Sequence, residues 1–176
     1  MGMDLFPSSG IDPYHLNWWG WRTVGDLLCE LNCDLESMAG SNDGDAVDEE
    51  TAYEWGMALK TAVEEGRILM IEFEDSSFYG GKAQEVHVEG VSWPMNWSNS
   101  MSVPMSLVAE MAKEKDAPLN EEETYLAYKA GKARAKAKYE EKRALPQVVV
   151  TPESETGKWF LEVAKFFMDS EGFEQW

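Results

Sequence analysis

The stretch YHLNWWGWRTVGDLLCELN, residues 14–32, carries the strongest folding signal in this chain of 176 residues. Its second half places apolar side chains at spacings i, i+3, i+4 and i+7, namely Val24, Leu27, Leu28 and Leu31. Side chains at these spacings share one face of an α-helix. The pattern therefore predicts an amphipathic helix that begins at Thr23 and buries this stripe in a core.

Three tryptophans, Trp18, Trp19 and Trp21, come directly before this stripe. Clustered aromatic side chains serve both as core walls and as binding surfaces, so both interpretations are open. Neighbouring side chains of an extended segment point in opposite directions, which would leave Trp18 or Trp19 exposed to a partner, beside Arg22. The favoured interpretation is that the two ends of the chain pack together through aromatic side chains. Tyr14 and the three tryptophans would contact those of the last predicted helix, Trp159, Phe160, Phe166 and Phe167.

Four further helices follow from capping signals and apolar periodicity. Asp48 is a good N-cap for a helix that ends at Gly66, and a short helix is predicted over about 105–115. A long helix over about 120–145 has acidic residues at its start and basic residues at its end, as the helix dipole favours. Ser154 begins the last helix.

The middle of the chain changes to a period of two, which is typical of strands. RILMIEFE (67–74) and EVHVEGV (85–91) alternate apolar and polar residues, and Gly80-Gly81 lies between them. Alternating runs around a glycine turn predict an antiparallel hairpin. QVVV (147–150) predicts a third strand.

Together these elements predict an α+β fold, a helix-dominated single domain with a small antiparallel sheet. The hairpin occupies about 68–91 and the third strand about 147–151. Residues 1–13 are predicted to be an irregular N-terminal arm because prolines and a glycine interrupt them, and residues 14–176 form the domain.

Charge is the strongest compositional signal. Residues 1–128 carry 25 acids and 6 bases, a net charge of −19, and residues 129–176 carry 8 acids and 9 bases, a net charge of +1. A body of this charge repels nucleic acid and anionic membranes and attracts basic proteins. The chain has no apolar run of the roughly 20 residues that cross a bilayer and no signal-peptide pattern, so the expected location is the cytoplasm.

One candidate site lies on the outward face of the predicted hairpin. The alternation predicts that Val86 and Val88 point inward, and that five ionisable side chains share the outer face: Glu72, Glu74, Glu85, His87 and Glu89. Carboxylates with one imidazole can bind a divalent ion or exchange protons, and Glu85, His87 and Glu89 would form the row that does so. The alternative is a solvated sheet face whose charges discourage edge pairing.

The other chemical signals are weak. Cys29 and Cys33 are one helical turn apart, but no second cysteine pair completes a zinc site, so packing is the expected role of both. No phosphate-binding, dinucleotide-binding or hydrolase motif occurs, and no cofactor is predicted. The basic stretch 129–143 has its charges on two opposite sides, which favours pairing with the acidic body over nucleic-acid binding.

Several pieces of the sequence resemble a family of uncharacterised bacterial and phage proteins. The pieces are YHLNWWGWR (14–22), NDGD (42–45), the helix over 48–66, and FFMDSEGFEQW (166–176). The family has a tryptophan-rich N-terminal signature, an Asn-Asp-Gly turn and a Gly-Phe-Glu ending. It has Arg where Leu16 stands here, and Pro-Leu-Trp in place of residues 23–25. The resemblance covers about half of the chain and implies an accessory protein of a mobile element.

Three functional hypotheses follow. The first is a non-enzymatic acidic protein that binds or inhibits a basic, nucleic-acid-handling host protein. Its partner-binding residues would be Trp18, Trp19, Arg22, Trp93, Trp97, Glu72, Glu74, Glu85 and Glu89. The second is an enzyme that binds a small molecule or metal through Glu85, His87 and Glu89. The third is an assembly subunit that uses its surplus tryptophans at an oligomer interface.

Overall fold

The computed structural model describes residues 2–38, 45–74, 82–91 and 102–176, with side chains in the last range from residue 107 onward. In these ranges the elements follow in the order β1 (Gly2–Pro7), β2 (Tyr14–Asn17), α1 (Trp18–Glu30), β3 (Asp45–Val47), α2 (Glu49–Glu64), β4 (Ile68–Glu74), β5 (Lys82–Val88), α3 (Ser102–Lys115), α4 (Glu121–Arg143), β6 (Gln147–Val149), α5 (Glu155–Asp169) and β7 (Phe173–Gln175). The α+β class with a majority of helix is therefore confirmed.

A four-stranded antiparallel sheet joins the two ends of the chain, in the order β2-β1-β7-β3. Leu5 of β1 pairs with Gln175 of β7, and Met3 pairs with Leu16 of β2. Met3 and Leu5 are fully buried, so the prediction of an irregular arm over residues 1–13 is wrong for β1. The partner strand β7 lies about 170 residues away in sequence, and no local pattern shows that the two will meet.

The second sheet has the order β5-β4-β6 and is also antiparallel. It contains the predicted hairpin and the predicted third strand, and both are confirmed. Ile68 pairs with Val88 in the hairpin, and Leu69 pairs with Val149 of β6.

Side-chain caps define the starts of several helices. Helix α1 begins at Trp18, earlier than the predicted Thr23, because the side chain of Asn17 accepts a hydrogen bond from the N–H of Gly20 at 2.7 Å. Asp48 caps α2 as predicted, and its carboxylate accepts from the N–H of Thr51 at 2.8 Å.

The core forms where α1, α2 and α5 meet the four-stranded sheet. The rings of Phe167 and Phe173 stack with centroids 5.4 Å apart, and the ring of Trp55 meets Phe167 edge-on at 5.8 Å. Tyr14 lies 5.4 Å from Phe166, which confirms that aromatic side chains hold the two ends of the chain together. No helix in the described ranges is both long and apolar enough to span a bilayer.

Candidate binding groove

The register of the hairpin divides the predicted acidic face between the two sides of the sheet. Leu69 pairs with His87, and Ile71 pairs with Glu85, whereas Glu72 and Glu74 pair with Gln84 and Lys82. Directly paired residues share a face, so Glu72 and Glu74 lie on the opposite side from Glu85 and His87. The expectation of one common face is wrong, since a register change of one residue exchanges the two faces of a strand. Glu89 follows β5 in a turn and is exposed.

His87 does not point into solvent. Only 3% of the residue is exposed, and burial, helped by the charge of Arg143, lowers its pKa to about 4. The imidazole is therefore neutral near pH 7, and its buried Nδ1 atom has no hydrogen-bond partner among the described residues. In the same ranges no three His, Cys, Asp or Glu side chains gather in a way that could hold a metal ion.

A buried ion pair, which no sequence signal indicated, closes one end of β5. The carboxylate of Glu30 accepts a hydrogen bond from the N–H of Val88 at 2.6 Å, and Arg143 approaches the same carboxylate at 3.4 Å. Arg143 also approaches the carbonyl oxygen of Val88 at 3.5 Å. Burial raises the pKa of Glu30 to about 7, although the hydrogen bond and Arg143 both oppose this shift. We name Glu30 and Arg143 the edge clamp.

Beside the edge clamp a groove of about 370 Å³ opens between α1, α5 and β5. Helix α1 supplies one wall and the hairpin supplies the other, while α4 and α5 contribute to its ends. The lining residues are Trp19, Arg22, Thr23, Asp26, Met70, Gln84, Glu85, Val86, Lys142, Thr156, Trp159 and Phe160. Its volume lies within the range of small-ligand and peptide sites.

The mouth of the groove presents an exposed indole. Trp19 is 64% exposed, and the guanidinium of Arg22 lies 5.6 Å from the centroid of its ring. Trp21 is fully buried, and Trp18 is half-buried against the core. Trp21 and Trp18 therefore pack inward, as the core interpretation predicts, and Trp19 is exposed, as the divergence of neighbouring side chains predicts.

The charged groups of the groove are partly compensated. Lys142 donates to the carboxylate of Glu85 at 2.5 Å and lies 4.3 Å from the ring centroid of Phe73. Asp26 and Arg22 add one charge of each sign. The lining can therefore receive polar and apolar groups together, which suits a peptide better than a purely apolar ligand.

Of the predicted partner-binding residues, the fold brings Trp19, Arg22 and Glu85 together around the groove. Glu72, Glu74 and Glu89 are exposed but do not line the groove. Trp93 and Trp97 lie outside the described residues. The remaining lining residues come from five separate elements, so no single pattern in the sequence connects them.

Three of the seven bases of α4 contact acids of other elements in the described ranges. Besides the contacts of Lys142 and Arg143, the guanidinium of Arg134 approaches the carboxylate of Glu110 in α3 at 3.3 Å. These pairs agree with the expectation of charge complementarity within the molecule.

The two cysteines are half-buried and are not joined in a disulfide. Cys33 packs against the core, and burial raises its pKa to about 11, so its thiol stays protonated at neutral pH. Packing explains this cysteine without a catalytic role.

The first turns of α2 form a strongly acidic surface. Asp48, Glu49, Glu50 and Glu54 surround Tyr53, which is 51% exposed. None of the ion pairs in the described ranges includes Glu49, Glu50 or Glu54. These carboxylates are therefore available to attract an external cation or a basic protein.

The fold and the groove define a class, a helix-dominated α+β protein with two antiparallel sheets and a mixed polar and apolar groove beside a sheet edge. Comparison of the chain with protein-family models, with curated proteins and with solved structures gives no match in any of the three.

Proposed function

We propose that this protein is a non-enzymatic, cytoplasmic interaction protein that binds a basic surface of another protein. Its net charge of −18 favours encounters with basic partners and disfavours contact with nucleic acid. The carboxylates at the start of α2, among which Glu49, Glu50 and Glu54 form no ion pair with another described residue, strengthen this field locally.

The observation that carries the proposal is the exposed Trp19, with Arg22 over its ring, at the mouth of the groove. Tryptophan and arginine are enriched among the residues that dominate the energy of protein interfaces. A partner that fills the groove beside this pair would exclude water from Trp19 and Arg22, the condition under which such residues contribute strongly. Long-range charge would bring the partner close, and the groove would hold it.

In its particular form, the proposal names the partner as a host protein that handles nucleic acid. Carboxylates would then occupy positions that phosphates take in the natural complex, and the protein would act as an inhibitor. This form rests on the resemblance to phage and bacterial proteins together with the acidic charge. It predicts that DNA or RNA competes with this protein for the captured partner.

Capture from a cell lysate at about 50 mM and about 500 mM salt tests the proposal, with the bound proteins identified by mass spectrometry. A basic partner should bind at low salt and leave at high salt, because screening weakens attraction between exposed charges. Trp19→Ala should then weaken the purified complex by about tenfold or more.

Trp176→Ala is the matched control for this variant. Trp176 is 49% exposed, but it follows β7 and does not line the groove. An equal loss of affinity in both variants, or a capture that salt does not change, would contradict the proposal.

The two alternatives predict other results. An enzyme centred on Glu85, His87 and Glu89 would be stabilised by a divalent ion, yet His87 is buried and Glu89 lies beyond the end of β5. An assembly subunit would show a sedimentation coefficient that rises with protein concentration.

A further inference from the structure

The outer edge of β5 has backbone groups that face away from its own sheet. β5 lies at the end of the order β5-β4-β6, so β4 is the only strand that pairs with it in the part of the chain that the structure describes. The N–H of Glu89 points toward the β4 side and donates to the carbonyl oxygen of Arg67, the residue before β4. The N–H of Val88 points to the opposite side and donates to the carboxylate of Glu30. Because these directions alternate along a strand, Gln84 and Val86 also point their N–H and C=O groups away from β4.

The edge clamp satisfies only one residue of this edge. Glu30 accepts from the N–H of Val88, and Arg143 approaches its carbonyl oxygen, so the pair occupies the positions that a neighbouring strand would take. Any further strand must therefore end before Val88.

Gln84 and Val86 have no such substitute. Among the residues that the structure describes, their outward N–H and C=O groups have no hydrogen-bond partner, and both residues line the groove. Gln84 is exposed and Val86 is half-buried, so the edge is accessible from the groove. An open strand edge of this kind is a template for pairing with another chain.

The groove also extends to both sides of β5. Met70 and Val86 lie on the side that faces α1 and α5, whereas Glu85 and its partner Lys142 lie on the other side. Side chains of an added strand would alternate between these two environments. The first environment adds the apolar surfaces of Trp159 and Phe160, and the second is polar.

We infer that the groove binds an extended, basic segment of a partner protein, which adds as a strand to β5 by pairing with Gln84 and Val86. The inference rests on the proposed function and names its binding mode. Main-chain hydrogen bonds supply affinity in such complexes, and the pockets for alternate side chains supply specificity. The chain's charge of −18 selects Lys and Arg in the segment and disfavours a second copy of this chain as the occupant.

Amide exchange tests the geometry of the edge in the free protein. By NMR, the amides of Gln84 and Val86 should exchange quickly, while those of Glu85 and His87, which donate to β4, should be protected. The amide of Val88 should be protected as well, because it donates to Glu30.

The binding experiment begins with a display library of random decapeptides selected on the full-length protein. The best selected peptide is then synthesised with and without N-methylation at alternate peptide nitrogens. Strand addition predicts that the unmodified peptide slows exchange at Gln84 and Val86. It also predicts that methylation on the pairing side weakens binding by about tenfold or more, since each blocked hydrogen bond also leaves a carbonyl unpaired.

Gln84→Pro removes one outward N–H from the protein itself, and Gln84→Ala is its control. Proline is tolerated in edge strands where the N–H faces solvent, so the β4–β5 pairing should persist. We expect Gln84→Pro to weaken the affinity for the peptide by about tenfold and Gln84→Ala to change this affinity by less than about threefold. Retained protection of the Glu85 and His87 amides would show that the hairpin is intact.

The outcomes separate this inference from the proposed function. Strand addition is wrong if the selection gives no binder, or if its binders leave the exchange of Gln84 and Val86 unchanged. It is also wrong if Gln84→Pro binds as well as Gln84→Ala, or if Gln84→Pro abolishes self-association in sedimentation, which would make a second copy the occupant. A salt-sensitive partner that requires Trp19 would still support the proposed function in any of these cases.

Discussion

Glu30→Gln should change how stability depends on pH. In the folded protein the pKa of Glu30 is about 7, against an ordinary value of 4.5, because the carboxyl is buried. Between these two pH values the folded state holds a proton that the unfolded chain has lost. The contribution of Glu30 to stability is therefore complete below pH 4.5 and is lost as the pH rises through 7.

His87 has the opposite effect. Its folded pKa of about 4 lies below the ordinary 6.5, so between these values the unfolded chain holds a proton that the folded state lacks. The contribution of His87 therefore grows as the pH rises from 4 to 6.5. Each pKa shift corresponds to about 3 kcal/mol of stability. Between pH 4.5 and 6.5 the pH-dependent contributions of Glu30 and His87 largely cancel in the wild-type protein.

Removal of one group should expose the effect of the other. Relative to wild type, the free energy of unfolding of Glu30→Gln should rise by about 1.4 kcal/mol per pH unit between pH 4.5 and 6.5. Relative to wild type, the free energy of unfolding of His87→Leu should fall by a similar amount per pH unit over the same range. Urea unfolding at pH 4.5, 5.5 and 6.5 measures both differences. A difference that is constant with pH in either variant would refute the assignment of that group as a buried, shifted titration.

Three further predictions concern packing and capping, and urea unfolding at pH 7 checks each of them. Trp21→Ala should lower the free energy of unfolding by about 3–5 kcal/mol because Trp21 is fully buried, whereas Trp19→Ala should lower it by less than about 1 kcal/mol. Equal losses in the two variants would contradict the described orientation of the tryptophans. Gly56→Ala should destabilise the protein by about 1–3 kcal/mol despite the better helix propensity of alanine, because a Cβ there would lie 2.5 Å from Cγ of Met168. A stabilised variant would show that α2 and α5 can separate. Asp48→Ala should lose about 1 kcal/mol through the missing cap on α2, and an unchanged free energy would show that this hydrogen bond contributes nothing.

Local patterns predicted most of the elements correctly. The apolar stripe of α1, the cap of α2, the alternation in β4 and β5 and the proline after α4 all act within a few residues, and the elements formed where those patterns occur. The start of α1 was placed too late, because Asn17 as an N-cap is a weaker signal than the apolar stripe.

The sequence was less informative about the four-stranded sheet. β3 and β7 have three residues each, too few to establish an alternation, and their pairing joins distant parts of the chain. Short strands of this kind are stable only because the sheet and the core behind it form together.

The candidate site was predicted only in part. Exposure of one tryptophan followed from the argument that neighbouring side chains diverge, and Arg22 was expected to lie beside it. Placement of Glu85 in the groove, however, required the hairpin register, which depends on the pairing of two strands and the turn between them. The edge clamp joins residues more than 100 positions apart, so no local sequence pattern indicates it.

The class of the fold, the acidic charge of the body, and the aromatic packing that joins the two ends of the chain could all be predicted from the amino-acid sequence. These properties follow from composition and from periodicity within single elements. Three features depended on tertiary packing: the burial of His87, the contacts of Glu30 and Arg143 with Val88, and an outward edge at Gln84 and Val86 that no other described residue pairs with. Burial and hydrogen-bond partners depend on two elements together. The relative position of two elements becomes fixed only when the whole core packs.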